Sequence, residues 1–333
     1  MNYQNKLQDG RTQCLVCPRQ CIMSEGGSGF CNIRQNIDGD IGLISYGYTT
    51  GLAVDPIEKK PLYHFLPGSS VLSFGTRGCN MGCLFCQNWT TSKSKEGRAG
   101  LYVASPTAIA KLALEHQCQS VAFTYNEPVI FLEYALDTAR ECRRLGVKTV
   151  AVTAGYMNPE PRKEFYREID AVNVDLKAFT DDFYRRNCQA ELSVVLETIE
   201  YIKKETETWL ELTTLLIEGE NDSEEELRAE CRWITEHLGT ETPLHFSAFH
   251  PAWKFQDRKT TSPETLFKAH RIAKEAGIRY VYTGNILHAE TSATYCPNCG
   301  KAVITRNRFQ ADAGQLHNGH CAFCHTALAG TFE

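Results

Sequence analysis

The chain has 333 residues, of which 42% are hydrophobic and 23% are charged, and its formal net charge is −5. This composition is ordinary for a folded globular protein, and without excess positive charge nucleic acid is not an expected partner. The apolar runs are strand-sized and the N-terminus has no apolar signal-peptide core, so we expect no membrane partner, no export and a cytoplasmic location. This length predicts one large domain with smaller additions.

Fifteen cysteines are many for a chain of this kind. A reducing cytosol disfavours disulfides, so clustered cysteines indicate metal ligands there. Eleven of the fifteen fall into three clusters. We interpret the others as ordinary buried small side chains. These are Cys118, Cys142, Cys188 and Cys231.

The first cluster belongs to an N-terminal segment, residues 1–50, and consists of Cys14, Cys17, Cys21 and Cys31. The segment has too few large apolar residues to fold unaided, so a bound metal would supply the missing stabilisation. Four cysteines can complete a tetrahedral zinc site or ligate an iron–sulfur cluster. The spacing does not distinguish between the two metals.

The second cluster is the triplet Cys79, Cys83 and Cys86, with the spacing C-x3-C-x2-C on a loop that contains Gly78 and Gly82. Three thiolates suit a four-iron cluster and leave one iron without a protein donor. An open iron can bind a substrate or cofactor, so the pattern indicates chemistry more than electron storage. A zinc or purely structural triplet is the alternative, although zinc prefers a fourth protein ligand or a water.

Between residues 51 and 290 the chain alternates strand-like and helix-like runs. The strand-like runs are Val71–Phe74, Val121–Tyr125, Val147–Thr153, Ala171–Leu176, Leu210–Ile217, Leu244–Phe249 and Arg279–Tyr282. The helix-like runs are Ser105–Leu114, Pro128–Leu145, Pro161–Arg167, Ser193–Lys204, Ser223–Leu238 and Ser262–Ala276. This α/β alternation predicts a parallel sheet, closed as a barrel or partial barrel. A doubly wound open sheet is the alternative, but no Gly-rich dinucleotide fingerprint follows the first strand.

The third cluster lies in residues 291–333 and consists of two C-x2-C knuckles, formed by Cys296, Cys299, Cys321 and Cys324. This spacing predicts a zinc-ribbon-like module, with iron as the alternative metal. We expect three nearby histidines to lie outside the ligand set. They are His317, His320 and His325.

Polar residues recur at the ends of the predicted strands, where the residues of a barrel's active site gather. They include Asn126, Glu127, Thr153, Asp175 and His250. Any one of them is explained by turn chemistry. Their recurrence at successive strand ends favours a site.

The triplet and its flanking residues, the run Cys14-x2-Cys17-Pro18-x2-Cys21 and the segment 55–65 resemble the radical S-adenosylmethionine (SAM) superfamily. Within it the chain resembles the radical SAM member of the AmmeMemoRadiSam system, related to the pyruvate formate-lyase activating enzymes. The resemblance covers nearly the whole chain. It implies a partial (βα)6 TIM-like barrel and a [4Fe-4S] cluster at the triplet. It also implies that SAM, bound through its amine and carboxylate, is cleaved reductively to a 5′-deoxyadenosyl radical.

The same resemblance implies residues for SAM. The element Tyr125-Asn126-Glu127-Pro128 is similar to the Gly-Gly-Glu-Pro element, which places Glu127 at the SAM amine with Asn126 as a hydrogen-bonding neighbour. A helix N-terminal carboxylate is the other interpretation of Glu127. Thr153 and Gly155 belong to a turn similar to the Thr-Asn-Gly turn near the ribose.

Three further positions are implied in the same way. Asp175-Leu176-Lys177 matches an Asp-x-Lys element, with Lys177 near the SAM carboxylate and Asp175 near the ribose or a cation. A plain internal salt bridge is the alternative. Phe85 matches an aromatic residue whose backbone meets the adenine. His250 is a candidate for orienting SAM or substrate, with a turn histidine as the alternative.

We therefore expect a radical SAM oxidoreductase whose substrate is a protein glycyl residue, as for the activating enzymes, or else a small molecule or peptide. The implied partners are SAM, an electron donor such as flavodoxin or ferredoxin, and Memo-like and AMMECR-like proteins or a protein substrate. A non-catalytic metal-rich protein that carries electrons or binds nucleic acid is the alternative from another class. It would leave Glu127, Asp175 and Lys177 unexplained.

Overall fold

The computed structural model describes residues 3–95 and 100–333. Met1, Asn2 and residues 96–99, which fall in the predicted N-terminal segment and central domain, lie outside the described residues. The chain begins with short antiparallel strands. They are β1 (Gln4–Lys6), β2 (Thr12–Cys14), β3 (Ile22–Met23), β4 (Arg34–Ile37), β5 (Asp40–Leu43) and β6 (Tyr48–Thr49). β1, β2 and β3 form one small sheet, and β4 and β5 form a hairpin.

An eight-stranded sheet follows. Its strands are β7 (Leu52–Pro56), β8 (Ser70–Phe74), β10 (Ser120–Phe123), β11 (Lys148–Thr153), β12 (Ala171–Asp175), β13 (Trp209–Leu216), β14 (Leu244–Ala248) and β15 (Val281–Gly284). The intervening short strand β9 (Tyr102–Val103) pairs with β6 instead. β8 and β10 to β15 are parallel, and β7 runs antiparallel along β8. The predicted parallel α/β sheet is confirmed.

The order of the strands decides between the two predicted sheet types. The parallel strands lie side by side in chain order, from β8 through β10 to β15, without a reversal. A doubly wound sheet reverses its strand order part-way, so that alternative is wrong. In the part of the chain that the structure describes, the edge strands β7 and β15 do not pair with each other.

Helices connect the parallel strands, and a final helix follows the last of these strands. They are α1 (Trp89–Ser92), α2 (Pro106–Glu115), α3 (Leu132–Arg144), α4 (Pro159–Arg167), α5 (Asp181–Phe183), α6 (Leu192–Glu205), α7 (Glu224–His237), α8 (Pro263–Glu275) and α9 (Ala289–Ser292). Ser105, Ser223 and Ser262 cap their helices by accepting hydrogen bonds from backbone N–H groups in the first turn. Within the described ranges, no helix is both long and apolar enough to span a bilayer.

Two local features differ from the predicted pattern. Pro128 opens a 3-10 turn, Pro128–Phe131, and the regular helix begins only at Leu132. The Glu127 side chain accepts a hydrogen bond from Val129 N at this turn, which tightens the entry to the helix. Between α5 and α6 the chain forms a π-helical turn, Tyr184–Cys188, ending at Gln189 with a positive φ of 51°. Such turns often occur at functional sites.

A small C-terminal unit of short strands follows α9. Its strands are β16 (Thr294–Tyr295), β17 (Ala302–Asn307), β18 (Gln310–Asp312), β19 (Leu316–His317) and β20 (His320–Cys321). The unit packs on the segment that precedes β8. Arg306 donates to the Tyr63 carbonyl at 2.7 Å, and Leu66 N donates to the Thr331 carbonyl at 2.7 Å. The end of the chain is thereby joined to the central sheet.

A buried carboxylate anchors the same segment from inside the sheet. Glu211 on β13 accepts hydrogen bonds from Tyr63 N at 3.0 Å and His64 N at 2.7 Å, and it lies 2.7 Å from His245 Nε2. Burial alone would raise the pKa of Glu211, but the neighbouring His245 outweighs it and lowers that pKa. Glu211 therefore belongs to the scaffold of the segment 61–66.

Candidate active site at the three-cysteine loop

The loop of residues 75–88, here called the cysteine loop, leaves the C-terminal end of β8. Gly82 N donates to the Cys188 carbonyl at 2.8 Å, and Leu84 N donates to the Asn187 carbonyl at 2.9 Å. The π-helical turn thus supplies the acceptors that an irregular loop lacks within itself. Gly78 has a φ of +82°, and a Cβ there would lie 2.0 Å from the Cys31 carbonyl oxygen. Only glycine fits that position.

Asn126 holds the start of the loop. Its Oδ1 accepts from Thr76 N at 3.0 Å, and its Nδ2 lies 3.1 Å from the Gly78 carbonyl and 3.2 Å from the Arg77 carbonyl. Sequence reasoning assigns Asn126 to SAM. The structure shows its amide engaged with the cysteine loop, and Asn126 also lines the cavity of the site.

Cys79, Cys83 and Cys86 line a single cavity of about 280 Å³. Cys83 is buried, whereas Cys79 and Cys86 are half-buried. Met81 N points at Cys79 Sγ at 3.4 Å, and Ser92 Oγ lies 3.1 Å from Cys86 Sγ. The Met81 donor favours the thiolate of Cys79, although burial outweighs it and raises the pKa of that thiol.

Cys83 has an additional sulfur neighbour, Cys188. A hydrogen bond between the two thiols lowers the pKa of Cys83, and the ammonium groups of Lys177 and Lys93 act in the same direction. Sequence reasoning interprets Cys188 as an ordinary buried side chain. It is buried, but it contacts a cysteine of the triplet. Position 188 carries no sequence signal for this contact, because the π-helical turn creates it.

Glu127 is buried and lines the same cavity. Its carboxylate accepts hydrogen bonds from Thr153 Oγ1, from Ala154 N at 2.8 Å and from Val129 N at 3.3 Å. Burial raises the pKa of Glu127 to about 7, although these donors oppose the shift. The ends of β10 and β11 therefore place Glu127 and Thr153 together, as the sequence predicts for one site.

The pair Asp175 and Lys177 lies at the end of β12 and lines the same cavity. Lys177 Nζ is 3.0 Å from Asp175 Oδ2. Burial would lower the pKa of Lys177, but Asp175 and Cys83 outweigh it and hold that pKa well above its usual range. The internal salt bridge expected as the alternative exists. It faces the cavity, where a ligand can reach both charges.

The remaining predicted residues divide into two groups. Phe85 lines the cavity and packs against Phe183 with ring centroids 5.6 Å apart. Gly155, with a φ of +66°, does not line the cavity itself but donates its N–H to Thr153 Oγ1 at 2.9 Å. His250 is exposed and does not line this cavity; its Nδ1 is 3.4 Å from Thr260 Oγ1.

Several cavity residues were not among the predicted site residues, and Ser247 and Asn285 are two of them. Ser247 is near the C-terminal end of β14, and Asn285 follows β15 with a φ of +60°. Asn285 Nδ2 donates to the Ala248 carbonyl at 2.9 Å, which ties the two strand ends together. Their position at strand ends is the signal that identifies them. With them, all seven parallel strands contribute to the cavity wall or the loops beside it.

A second cavity of about 700 Å³ adjoins the first. Pro61, Ser247 and Asn285 line both cavities. The far wall of the second cavity is formed by the C-terminal unit and includes Arg308 and Phe309. Together the two cavities therefore extend from the triplet to the C-terminal unit.

The three cysteine groups differ in how closely their sulfur atoms approach. In the C-terminal group the four Sγ atoms all lie within 4.8 Å of one another, and Cys296 and Cys324 are 3.5 Å apart. That group includes none of the three nearby histidines. Among residues 3–95 and 100–333, no other group of three ligand atoms is as compact, so the triplet and the N-terminal four are more widely spread. The N-terminal four nevertheless line one small cavity.

A comparison with known protein families agrees with this geometry. The family model described as "Radical SAM superfamily" matches residues 74–231, which span the cysteine loop, Glu127 and the Asp175–Lys177 pair. Outside that match the likeness continues in a close relative. The chain is 42% identical over 324 residues to the uncharacterized protein MJ0808 of Methanocaldococcus jannaschii, which covers 97% of this chain and 96% of that one.

The chain belongs to the radical SAM superfamily. Solved structures share the fold at low sequence identity. A radical SAM methyltransferase from Sphaerobacter thermophilus matches with a TM-score of 0.52 and 16% identity, over 75% of this chain and 72% of that chain. Streptococcus suis SuiB bound to the precursor peptide SuiA also gives a TM-score of 0.52, with 13% identity, over 70% of this chain and 52% of that chain.

Membership of the radical SAM superfamily implies SAM and an iron–sulfur cluster, and the residues of this chain fit both. Three thiolates reach one cavity, and they are spread more widely than ligands of a single ion are. The same cavity offers a carboxylate for an amine and an ammonium group for a carboxylate. These are complementary to the charged groups of the methionine moiety of SAM.

Proposed function

We propose that this protein cleaves SAM reductively at a [4Fe-4S] cluster held by Cys79, Cys83 and Cys86, and that the resulting radical abstracts a hydrogen atom from a substrate. The observation that carries the proposal is the meeting of the triplet, Glu127 and the Asp175–Lys177 pair in one cavity. An electron carrier needs no such charged pocket beside its cluster.

The roles of the residues follow from their charges and positions. When bound, the iron–sulfur cluster supplies the electron that splits SAM into methionine and a 5′-deoxyadenosyl radical. Glu127 accepts the SAM amine, and Lys177 pairs with the SAM carboxylate, exchanging part of its bond with Asp175. Asp175 and Thr153 then face the ribose. Phe85 and the buried cavity wall exclude water from the radical.

The proposal includes two further structural assignments, one for the sheet and one for the C-terminal cysteines. We regard the parallel sheet as a partial (βα)6 barrel, because its strands follow chain order and its edges are unpaired among the described residues. We assign zinc to Cys296, Cys299, Cys321 and Cys324, because four thiolates within 4.8 Å of one another match the ligand spacing around one tetrahedral ion.

The substrate we propose is a glycyl residue of a protein, as for the pyruvate formate-lyase activating enzymes. The second cavity supports it, because its volume of about 700 Å³ adds room for a peptide segment beside the SAM pocket. A small molecule or free peptide is the alternative. Memo-like and AMMECR-like proteins are the candidate partners, with a low-potential donor such as flavodoxin or ferredoxin, in the reducing cytoplasm.

The test uses anaerobically reconstituted protein. We expect SAM to change the electron paramagnetic resonance (EPR) spectrum of the reduced triplet cluster, because SAM binds the open iron. We expect 5′-deoxyadenosine and methionine to form in equal amounts during turnover. Deuterium from a glycine-labelled partner protein should appear in the 5′-deoxyadenosine. Transfer from a labelled small molecule instead would favour the alternative substrate, and an unchanged EPR spectrum without product would refute SAM cleavage.

A further inference from the structure

The N-terminal four-cysteine site lies directly against the cysteine loop. Cys14 ends β2, Cys17 and Cys21 follow in the next loop, and Cys31 precedes β4. All four line one small cavity together with the apolar side chains of Met23 and Ile130, among others. Cys14 N donates to the Cys21 carbonyl at 2.9 Å, which closes the loop around the site. The fold itself therefore brings the four cysteines together on short connecting segments.

The spread of these sulfur atoms distinguishes between metals. A single zinc ion holds each thiolate at about 2.3 Å, so its four sulfur atoms lie within roughly 4 Å of one another. The C-terminal sulfur atoms come close to that spacing, since all four lie within 4.8 Å of one another, whereas among the described residues no three sulfur atoms of the N-terminal group are as close together. In a four-iron cluster each thiolate binds a different iron, which spreads the sulfur atoms apart. The N-terminal group shares this wider spread with the triplet.

The surroundings also suit a negatively charged cluster. Phe30 N points at Cys21 Sγ at 3.4 Å. Arg34 is buried, and its positive charge interacts with Cys14 and Cys31. Its guanidinium is held in place by Glu133 at 2.6 Å. Because four cysteines fill all four iron corners, such a cluster has no open iron and suits electron transfer rather than substrate binding.

Several contacts connect this site to the cysteine loop. Asn80, next to Cys79, lines the cavity of the N-terminal four cysteines. The Cys31 carbonyl packs against Gly78 so closely that a Cβ would not fit. Arg19, two residues after Cys17, donates to the Asn80 carbonyl and to the Gln189 carbonyl. The N-terminal site is therefore in direct contact with the cysteine loop.

We propose that Cys14, Cys17, Cys21 and Cys31 bind a second [4Fe-4S] cluster that relays electrons to the triplet cluster. A low-potential one-electron carrier reduces the N-terminal cluster from the 2+ to the 1+ state. The N-terminal cluster is then oxidised back to 2+ as the triplet cluster is reduced to 1+. The relay rests on the proposed SAM cleavage, because that reaction consumes the electron. The presence of the second cluster does not depend on SAM cleavage.

The first test removes the triplet from the full chain. We expect a Cys79→Ala, Cys83→Ala, Cys86→Ala variant to retain about four iron and about four sulfide per chain, with the EPR signal of a reduced four-iron cluster. Adding Cys14→Ser and Cys31→Ser should abolish that signal while the C-terminal zinc remains, which shows that the chain is folded. Adding Cys118→Ser and Cys142→Ser instead is the matched control. Zinc in place of iron would overturn the proposal.

The second test concerns the relay. We expect the reduced wild-type protein to show an EPR spectrum broadened by coupling of two nearby spins, and not the sum of the two single-cluster spectra. The Cys14→Ser, Cys31→Ser variant should form 5′-deoxyadenosine about tenfold more slowly with reduced flavodoxin but at a near-normal rate with titanium(III) citrate. A simple sum of spectra, or equal rates with flavodoxin, would refute the relay. If wild type forms no 5′-deoxyadenosine, SAM cleavage fails while the metal and EPR results still decide the cluster.

Discussion

Glu127 is buried, and none of its hydrogen-bond partners is a cation. Its three partners are a hydroxyl and two backbone N–H groups. Such a carboxylate is expensive to keep ionised in a dry cavity, which is why its pKa rises to about 7. A bound ammonium group would reverse that effect. The residue therefore matches a site for an amine better than it matches a purely structural cap.

The variant Glu127→Gln tests this role. It keeps the acceptor oxygen but removes the charge that pairs with the SAM amine. A charge-assisted hydrogen bond contributes about 1.5–3 kcal/mol, so we expect SAM to bind roughly tenfold to a hundredfold more weakly, measured by equilibrium dialysis. Glu160→Gln, on the exposed face of α4, is the control and should leave SAM binding unchanged. Equal affinity in Glu127→Gln would assign Glu127 to the scaffold alone.

The protonation of His64 should make the stability of the folded protein depend on pH. It is fully buried, with Nδ1 2.7 Å from the Ala329 carbonyl and Nε2 2.6 Å from the Tyr282 hydroxyl. Burial lowers the pKa of His64 to about 4. An unfolded histidine titrates near 6.5, so between these values the unfolded chain binds a proton that the folded chain does not. Stability should fall as the pH drops through this window.

We expect the free energy of unfolding to decrease by up to about 3 kcal/mol from this group as the pH falls from about 6.5 to about 4. His64→Gln should flatten that part of the profile, measured as the urea midpoint at each pH. His116→Gln, at an exposed position, should preserve the wild-type slope. If His64→Gln has the same slope as wild type, His64 is not kept neutral by burial.

At the scale of elements, the cysteine loop depends on partners from distant parts of the chain. The N-terminal segment, the end of β10 and the π-helical turn each supply contacts to it. Gly78 is the position with the least room, since a Cβ would lie 2.0 Å from the Cys31 carbonyl. A backbone carbonyl cannot move aside as a flexible side chain can.

We therefore expect Gly78→Ala to separate the cysteine loop from the N-terminal segment and to reduce the iron content of the reconstituted protein by half or more. Gly146→Ala is a matched control, because its φ of +73° imposes the same left-handed strain while no atom lies within 4 Å of its added Cβ. That control should lose only about 1–2 kcal/mol of stability and keep its iron. Full iron loading in Gly78→Ala would show that the contact is unimportant.

The sequence predicts the elements well where local signals are strong. Serine caps followed by proline mark the starts of α2 and α8, and apolar runs mark the parallel strands within one or two residues. The π-helical turn at Tyr184–Cys188 and the contact of Cys188 with Cys83 were not predictable, because they depend on tertiary packing. The exposed position of His250 was not predictable either, because it depends on the course of the loop that carries it. Spacing identified the ligand sets, but only the fold shows how far apart their sulfur atoms lie.

At the scale of the whole molecule, three cysteine groups are arranged around one sheet. The N-terminal group adjoins the triplet, and the C-terminal unit closes the second cavity and holds the segment 61–66 through Arg306 and Thr331. Under the metal assignments proposed above, bound metals would stabilise both small units that border the site. Loss of either metal should affect the site at a distance.

Cys299→Ser tests the C-terminal contribution. It removes one of four thiolates, so we expect the protein to lose one zinc per chain and its Tm to fall by roughly 5–10 °C, while iron at the triplet is retained. The measurements are metal analysis and calorimetry under anaerobic conditions. Cys231→Ser, at a buried cysteine outside all three groups, should keep the zinc. Unchanged zinc content in Cys299→Ser would contradict the assignment.

The most direct test of the central claim is anaerobic SAM cleavage by the reduced, reconstituted protein, measured as 5′-deoxyadenosine beside a Cys83→Ala variant. We predict product from the wild-type protein and from the Cys118→Ser control, and none from Cys83→Ala. A wild-type protein whose triplet cluster is loaded and reduced but forms no 5′-deoxyadenosine would contradict the account.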